Sequence, residues 1–144
     1  MKKILILLLF SLGTMSAKAA LFLINNTPCT IPVVVKAHDI AHTICGLQSN
    51  TILLPPGAVI TLQDVTSLNT SPGWMGSALA STSGGTAAWG WDAVAFTFTM
   101  LSSQVGPPTG CASSYSFTAA NACSGNPVTV NWVVIGANSL VEFN

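Results

Sequence analysis

Both histidines of the chain stand four residues apart, in Lys36-Ala37-His38-Asp39-Ile40-Ala41-His42-Thr43-Ile44-Cys45. An acid lies between them. Imidazole and carboxylate are ligands for zinc or copper, and on a helix the i and i+4 side chains meet one ion. His38, His42 and Asp39 are therefore the candidate metal set, with copper the first ion to test in an extracellular setting. The residues before His38 alternate like a strand, so the plainer reading is a strand end and loop with two histidines near a disulfide. Cys29 and Cys45 would complete a Cys2His2 set only as reduced thiols.

A second constellation is Trp89-Gly90-Trp91-Asp92. Two indoles of one parity beside an acid suit a sugar: the rings stack on its C–H face and the carboxylate accepts from its hydroxyls. Trp74 would add a third plate from a nearby loop. These four residues form the candidate glycan site. Against it, tryptophan is highly buried on average, and this pair runs into an alternating strand.

Catalytic signatures are missing. The chain has no Gly-x-Ser-x-Gly elbow, no Gly-x-Gly-x-x-Gly and no phosphate loop. Its acids stand singly at Asp39, Asp64, Asp92 and Glu142, with nothing to pair them as glycosidase carboxylates. No enzymatic activity and no cofactor are expected.

The first nineteen residues carry the marks of an export signal. Lys2 and Lys3 precede the apolar run Ile4 to Phe10, which Leu12 extends, and Ala17-Lys18-Ala19 is an A-x-A site. The expected cut falls between Ala19 and Ala20. The apolar run is shorter than the roughly 20 residues of a membrane span, and no transmembrane segment is expected in the mature chain. In the remaining chain Lys36 is the only cation, against four acids, and arginine is absent. That excludes charge-driven grip on nucleic acid, which needs a basic face. Hydroxyl and amide side chains take the place of charge, a surface suited to a secreted protein or to one that packs on copies of itself.

An oxidising compartment fits the four cysteines, Cys29, Cys45, Cys111 and Cys123, which read as two disulfides. Spacing suggests the local pairs Cys29–Cys45 and Cys111–Cys123. A bridge between the pairs, such as Cys29–Cys123, is the alternative.

The elements that must hold these residues repeat with period two. Leu21 to Ile24 opens the mature chain. Ile31, Val33, Val35 and Ala37 share one face of a second strand, with Pro32, Val34, Lys36 and His38 on the other. Pro55-Pro56-Gly57 turns into Ala58 to Val65. Val94, Phe96, Phe98 and Met100 alternate with small and polar neighbours. Ser114 to Thr118 is a short candidate. Val128, Val130, Trp132 and Val134 line one face of a late strand, and Leu140 to Phe143 closes the chain. Trp74 to Ala80 is read as at most one turn of helix, within long connections from Asn69 to Ala88. Gln104 to Gly110 reads as a loop.

The expected architecture is all-β: an antiparallel β-sandwich of about seven to nine strands with two disulfides, residues 20–144 forming one domain after the 1–19 signal. The expected role is that of a secreted, non-enzymatic surface, matrix or adhesion-type structural protein acting through β-face or edge contacts. The partners would be further copies of itself or surface glycans. A glycan-binding module is the alternative, and metal binding by the histidine pair the third reading.

Overall fold

The computed structural model of the protein describes residues 19–99 and 101–144. The export signal expected over residues 1–19 lies, but for Ala19, outside the described residues, as does the placement expected of Met100. Within them the chain is all-β, with two five-strand sheets face to face. The strands are β1 (Leu21–Asn25), β2 (Ile31–Asp39), β3 (His42–Gln48), β4 (Ile52–Leu54), β5 (Val59–Leu62), β6 (Gly90–Phe98), β7 (Leu101–Val105), β8 (Ser116–Cys123), β9 (Asn126–Ile135) and β10 (Asn138–Phe143). No described helix is long and apolar enough to cross a membrane.

The first sheet runs β5-β1-β10-β9-β8 and the second β3-β2-β6-β7, with β4 also on β2. All pairings are antiparallel except β1 with β10, which run the same way from Leu21↔Ser139 to Asn25↔Phe143. β3 and β4 follow one another along the same edge of β2, joined at Ser49. That buried serine exchanges bonds with Val35: its N–H donates to the Val35 carbonyl and its Oγ accepts from the Val35 N–H, both at 2.9 Å.

Alternation explains the core. Along β2 every odd residue from Ile31 to Asp39 is buried and every even one half-exposed, so its inner face is Ile31, Val33, Val35 and Ala37. From β6, Phe96 sits between the sheets and meets Phe98 at 5.3 Å, Phe117 at 5.7 Å and Phe143 edge-on at 5.6 Å between ring centroids. Val128, Val130 and Trp132 of β9 keep the inward phase, but Val134 does not: it is 57% exposed. The β9–β10 hairpin overhangs the core there, so an in-phase side chain has nothing to pack on.

Three strands escape the sequence reading. β3 and β7 carry few apolar residues and form sheet edges, where one flank needs no partner, and β4 has only three residues. The Trp74–Ala80 segment does contain a single 3-10 turn, Met75–Ser77.

The cysteine pairing differs from the local one. The bridges are Cys29–Cys123 and Cys45–Cys111. The reason is position along the strands: Cys29 precedes the start of β2 while Cys45, on β3, lies beside the far end of β2, and Cys111 precedes the start of β8 while Cys123 is its last residue. At about 3.3 Å per residue the members of each local pair stand roughly 20–30 Å apart, beyond any disulfide. Each bridge instead joins elements distant in sequence, across 94 and 66 residues.

Register defines two ends. β1, β3, β6 and β10 begin where β2, β5 and β9 finish, as shown by Leu21↔Leu62, Asp39↔His42, Ala37↔Trp91 and Asn138↔Ile135. Ala19 lies at this end, where its carbonyl accepts from Trp91 Nε1 at 2.6 Å. The Cys29–Cys123 bridge lies at the other end.

Candidate functional site

Adjacent residues of a strand point to opposite faces, and this separates His38 from Asp39. Asp39 turns inward at the end of β2 and is 5% exposed. Its Oδ1 accepts from the N–H of Ala41 and of His42, both at 2.9 Å, and lies 2.7 Å from His42 Nδ1. Its Oδ2 accepts from the Ser81 N–H at 2.7 Å. One carboxylate thus closes the β2–β3 turn and fastens the long 69–88 connection to it. Burial alone would raise its pKa. The His42 bond, the Ser81 and Ala41 amides and the charge of His42 outweigh that and hold it below the usual 3.8.

His38 projects from the other face and pairs with Asp92, Nδ1 to Oδ1, at 2.7 Å. Its ring lies over Gly90, where a Cβ would come within 3.1 Å of Cε1. Asp92 sits where the β2–β6 register slips between Lys36/Ala93 and Ala37/Trp91. Its Oδ2 accepts from the Cys45 N–H at 2.6 Å. The carboxylate is 2% exposed, and burial raises its pKa even though the Cys45 amide and His38 pull the other way.

A strap covers Asp92. After β7 the chain Gly106 to Cys111 crosses β6 and ends in the bridge to Cys45 on β3. Its contact is backbone to backbone: a Cβ at Gly106 would lie 2.4 Å, and one at Gly110 2.0 Å, from the Asp92 carbonyl oxygen. Gln104 fixes the root of the strap, donating from Nε2 to the Cys111 carbonyl and accepting from Lys36 Nζ, both at 2.8 Å. Lys36, the one lysine or arginine among the described residues, is therefore held by an amide rather than by an acid.

His38 and His42 each place Nδ1 on a different carboxylate, on opposite sides of the strand. Among the described residues no three His, Cys, Asp or Glu side chains gather as a metal group. Cys29 and Cys45 are oxidised and in separate bridges, which removes a Cys2His2 set.

Nor do the indoles form a platform. Trp74, Trp89 and Trp91 are 2%, 4% and 6% exposed. Trp74 Nε1 donates to the Val65 carbonyl at 3.1 Å, fixing a 3-10 turn under the sheet, and Trp91 anchors Ala19. A stacked sugar needs an open ring face, and these rings are in the core. Asp92 is committed to His38 and Cys45.

The sequence reading named the carboxylates and histidines but paired none of them across strands, and it missed the strap. The signal available was Gly106-Pro107-Pro108-Thr109-Gly110-Cys111, two glycines flanking a rigid turn just before a cysteine. The fold and these contacts define a disulfide-braced β-sandwich. Comparison with known protein families, with curated proteins and with solved structures finds no match.

Two predictions arise here. In Asp39→Asn one amide oxygen can serve the β2–β3 turn or the Ser81 N–H but not both. The variant is expected to lose about 1–3 kcal/mol at neutral pH, read by urea unfolding, with faster hydrogen exchange at Ser81. The two acids also have opposite pH signatures. Asp39, with a depressed pKa, stabilises the fold above the ordinary 3.8 and stops doing so as pH falls through its lower folded value. Asp92, with a raised pKa, favours the fold below 3.8 and loses that contribution as pH climbs to its folded value. The stability of Asp92→Asn relative to the native chain should therefore rise with pH across that window and then level off, in unfolding curves taken at a series of pH values.

Proposed function

We propose that this is a secreted, non-enzymatic structural protein of surface, matrix or adhesion type, acting through β-edge and β-face contacts. One observation carries the reading. The outer strands of both sheets, β5 and β8 in the first and β3, β4 and β7 in the second, contain no Lys, Arg, Asp or Glu. Soluble sandwiches ordinarily guard such edges with charge, above all lysine, because an unpaired row of N–H and C=O groups invites another strand. Here the edges also display apolar side chains: Val59 on β5 is 63% exposed, Leu53 on β4 62% and Leu101 on β7 44%. The two disulfides fit an oxidising compartment outside the cytoplasm. Contact through edges needs no catalytic group, and Asp39 and Asp92 are engaged by His42, His38 and backbone amides.

The test is self-association of the chain from Ala20 onward, followed by light scattering with rising concentration. The native protein should grow in mass, and the paired variant Val59→Lys with Leu101→Lys should stay monomeric. A native protein that remains a monomer up to millimolar concentration defeats the reading.

A further inference from the structure

Cross-strand register builds one continuous apolar patch on the outer face of the first sheet. Phe22 of β1 stands opposite Leu140 of β10, and Leu140 opposite Val133 of β9. Two residues further along, Ile24 stands opposite Glu142, and Glu142 opposite Asn131. Opposed side chains on one face lie about 5 Å apart, so these are neighbours. The alternate residues Leu21, Leu23, Val141 and Phe143 are fully buried, whereas Phe22, Ile24, Leu140 and Glu142 point outward and keep contact with water.

Glu142 gives this patch a charge that the fold does not use. Asp39, Asp64 and Asp92 all accept hydrogen bonds inside the domain, but Glu142 belongs to neither ion pair found among the described residues. The outer face of the second sheet is its counterpart. Side chains there are small, and a groove of about 110 Å³ lies between Pro32 and Val34 of β2, Ala95 and Thr97 of β6 and Ser102 of β7. Lys36, two residues beyond Val34, carries its stem across β6 to Gln104 on β7. Gln104 stands opposite Ala95, so the ammonium is at the rim of the groove. The one amide contact leaves it N–H groups for a further acceptor. His38, further along the same face, is turned to Asp92.

The two faces match in spacing as well as in sign. Val34 to Lys36 on β2 and Leu140 to Glu142 on β10 are each a two-residue step along a strand, about 6.6 Å. With β10 of one copy laid along β2 of another in the same direction, a Leu140 seated in the groove brings Glu142 to Lys36. Large side chains on one face thus meet small ones on the other, and an unpaired acid meets a cation that has no acid.

We propose that copies of this chain stack face to back, the outer face of the first sheet of one on the outer face of the second sheet of the next, with Leu140 in the groove beside Val34 and Glu142 paired with Lys36. The inference rests on the self-association reading above and names the surfaces and the register that join the copies. The two faces lie on opposite sides of one sandwich, so the contact is heterologous: each end of a stack keeps a free face, and the column stays open to growth. Five strands about 4.8 Å apart and six residues long give a face of roughly 24 by 20 Å, about 1,000 Å² for the two faces together, the lower limit of a specific contact. Burial of the apolar residues supplies the attraction, and the ion pair selects the register. Each contact is weak alone, so the column grows only as concentration rises.

The experiment reverses the two charges in the chain from Ala20 onward and follows mass by light scattering against concentration. Lys36→Glu alone opposes two carboxylates, and Glu142→Lys alone opposes two ammonium groups. Each should raise the concentration of half-assembly by roughly tenfold or more, because like charges across a contact repel. The chain carrying both substitutions should recover. So should an equal mixture of the two single variants, in which each face meets an oppositely charged face of the other variant. Leu140→Asn tests the groove independently and should weaken assembly by a similar factor. Both charged positions are half-exposed, and near-ultraviolet circular dichroism checks that the buried tryptophans stay packed in every variant. The inference fails if the single variants and Leu140→Asn assemble like the native chain, which would leave association to the strand edges alone. It fails also if the charge variants weaken and neither the double variant nor the mixture recovers. A native chain that stays monomeric defeats both this inference and the self-association reading.

Discussion

Replacing Cys29 and Cys123 together by serine is expected to lower the unfolding free energy by about 4–5 kcal/mol. Breaking Cys45–Cys111 in the same way should cost about 4 kcal/mol. The estimate follows from loop-closure entropy: cross-links across 94 and 66 residues confine far more of the unfolded chain than local loops would. Domains of this size hold only about 5–15 kcal/mol in total. Each double variant should therefore fold with a sharply lower urea midpoint, while the quadruple variant, or the native chain under strong thiol reductant, should be unfolded or nearly so at physiological temperature. Urea titration followed by tryptophan fluorescence measures this, since Trp74, Trp89, Trp91 and Trp132 are all buried in the folded state. A loss of under one kilocalorie from either bridge would mean that strand pairing alone secures the sandwich. The expectation has weight because ion pairing is scarce. The only salt bridges among the described residues are His38–Asp92 and His42–Asp39, and both depend on histidine protonation.

The same bridges mark where sequence reasoning stops. β2 announces itself in Ile31-Pro32-Val33-Val34-Val35-Lys36-Ala37-His38, because a strand with one wet face must alternate. β6 does likewise through Val94, Phe96 and Phe98. Cysteine spacing, taken alone, favoured the short loops. The strand between Cys29 and Cys45 does not by itself exclude a bridge between them, because the chain turns back along β2 as β3. It is the register, which leaves Cys45 near the far end of β2, that keeps the two apart. The edge strands β3, β4 and β7 were harder for a different reason. His42-Thr43-Ile44-Cys45-Gly46-Leu47-Gln48 buries only Leu47 fully, so no period shows. Its place is set by hydrogen bonds to β2, which composition does not record.

The polar contacts divide in the same way. Local ones are legible: an acid followed by a two-residue turn, as at Asp39, commonly accepts from the amides that follow it. Contacts between distant strands are not. His38 meets Asp92 across 54 residues, and Lys36 meets Gln104 across 68. The tryptophans show the converse. Trp89 and Trp91 share a parity and lead into a carboxylate, which is equally the pattern of a sugar platform and of a strand entering the core. Only the tertiary packing decides between them, and it buries both rings.

The strap over Asp92 concentrates the remaining sensitivity, and Gly110→Ala is the substitution that addresses it. The glycine is required by proximity, since a methyl there would lie 2.0 Å from the Asp92 carbonyl oxygen and 2.8 Å from its carbonyl carbon. Both atoms belong to the β6 backbone, held by the flanking pairs Lys36↔Ala93 and Ala37↔Trp91 with β2, and so yield less readily than a side chain. The strap must therefore lift. Lifting it pulls on Cys111 and so on Cys45, whose N–H is one of the two partners of the Asp92 carboxylate. Water then reaches a buried acid whose raised pKa depends on being dry. The expected cost is about 3 kcal/mol, the upper part of the range for overpacking, measured by urea unfolding. Accompanying signs should be faster exchange of the Cys45 amide and an Asp92 titration that moves down toward the ordinary carboxylate value. Gly57→Ala is the control: its Cβ would meet nothing within 4 Å, so only its positive φ of 73° is taxed. That should cost about 1–2 kcal/mol, the price of the left-handed conformation for a residue bearing a Cβ. If Gly110→Ala were no worse than this control and left the Asp92 titration in place, the strap would not be what keeps the carboxylate dry, and the His38 pair alone would have to account for its burial.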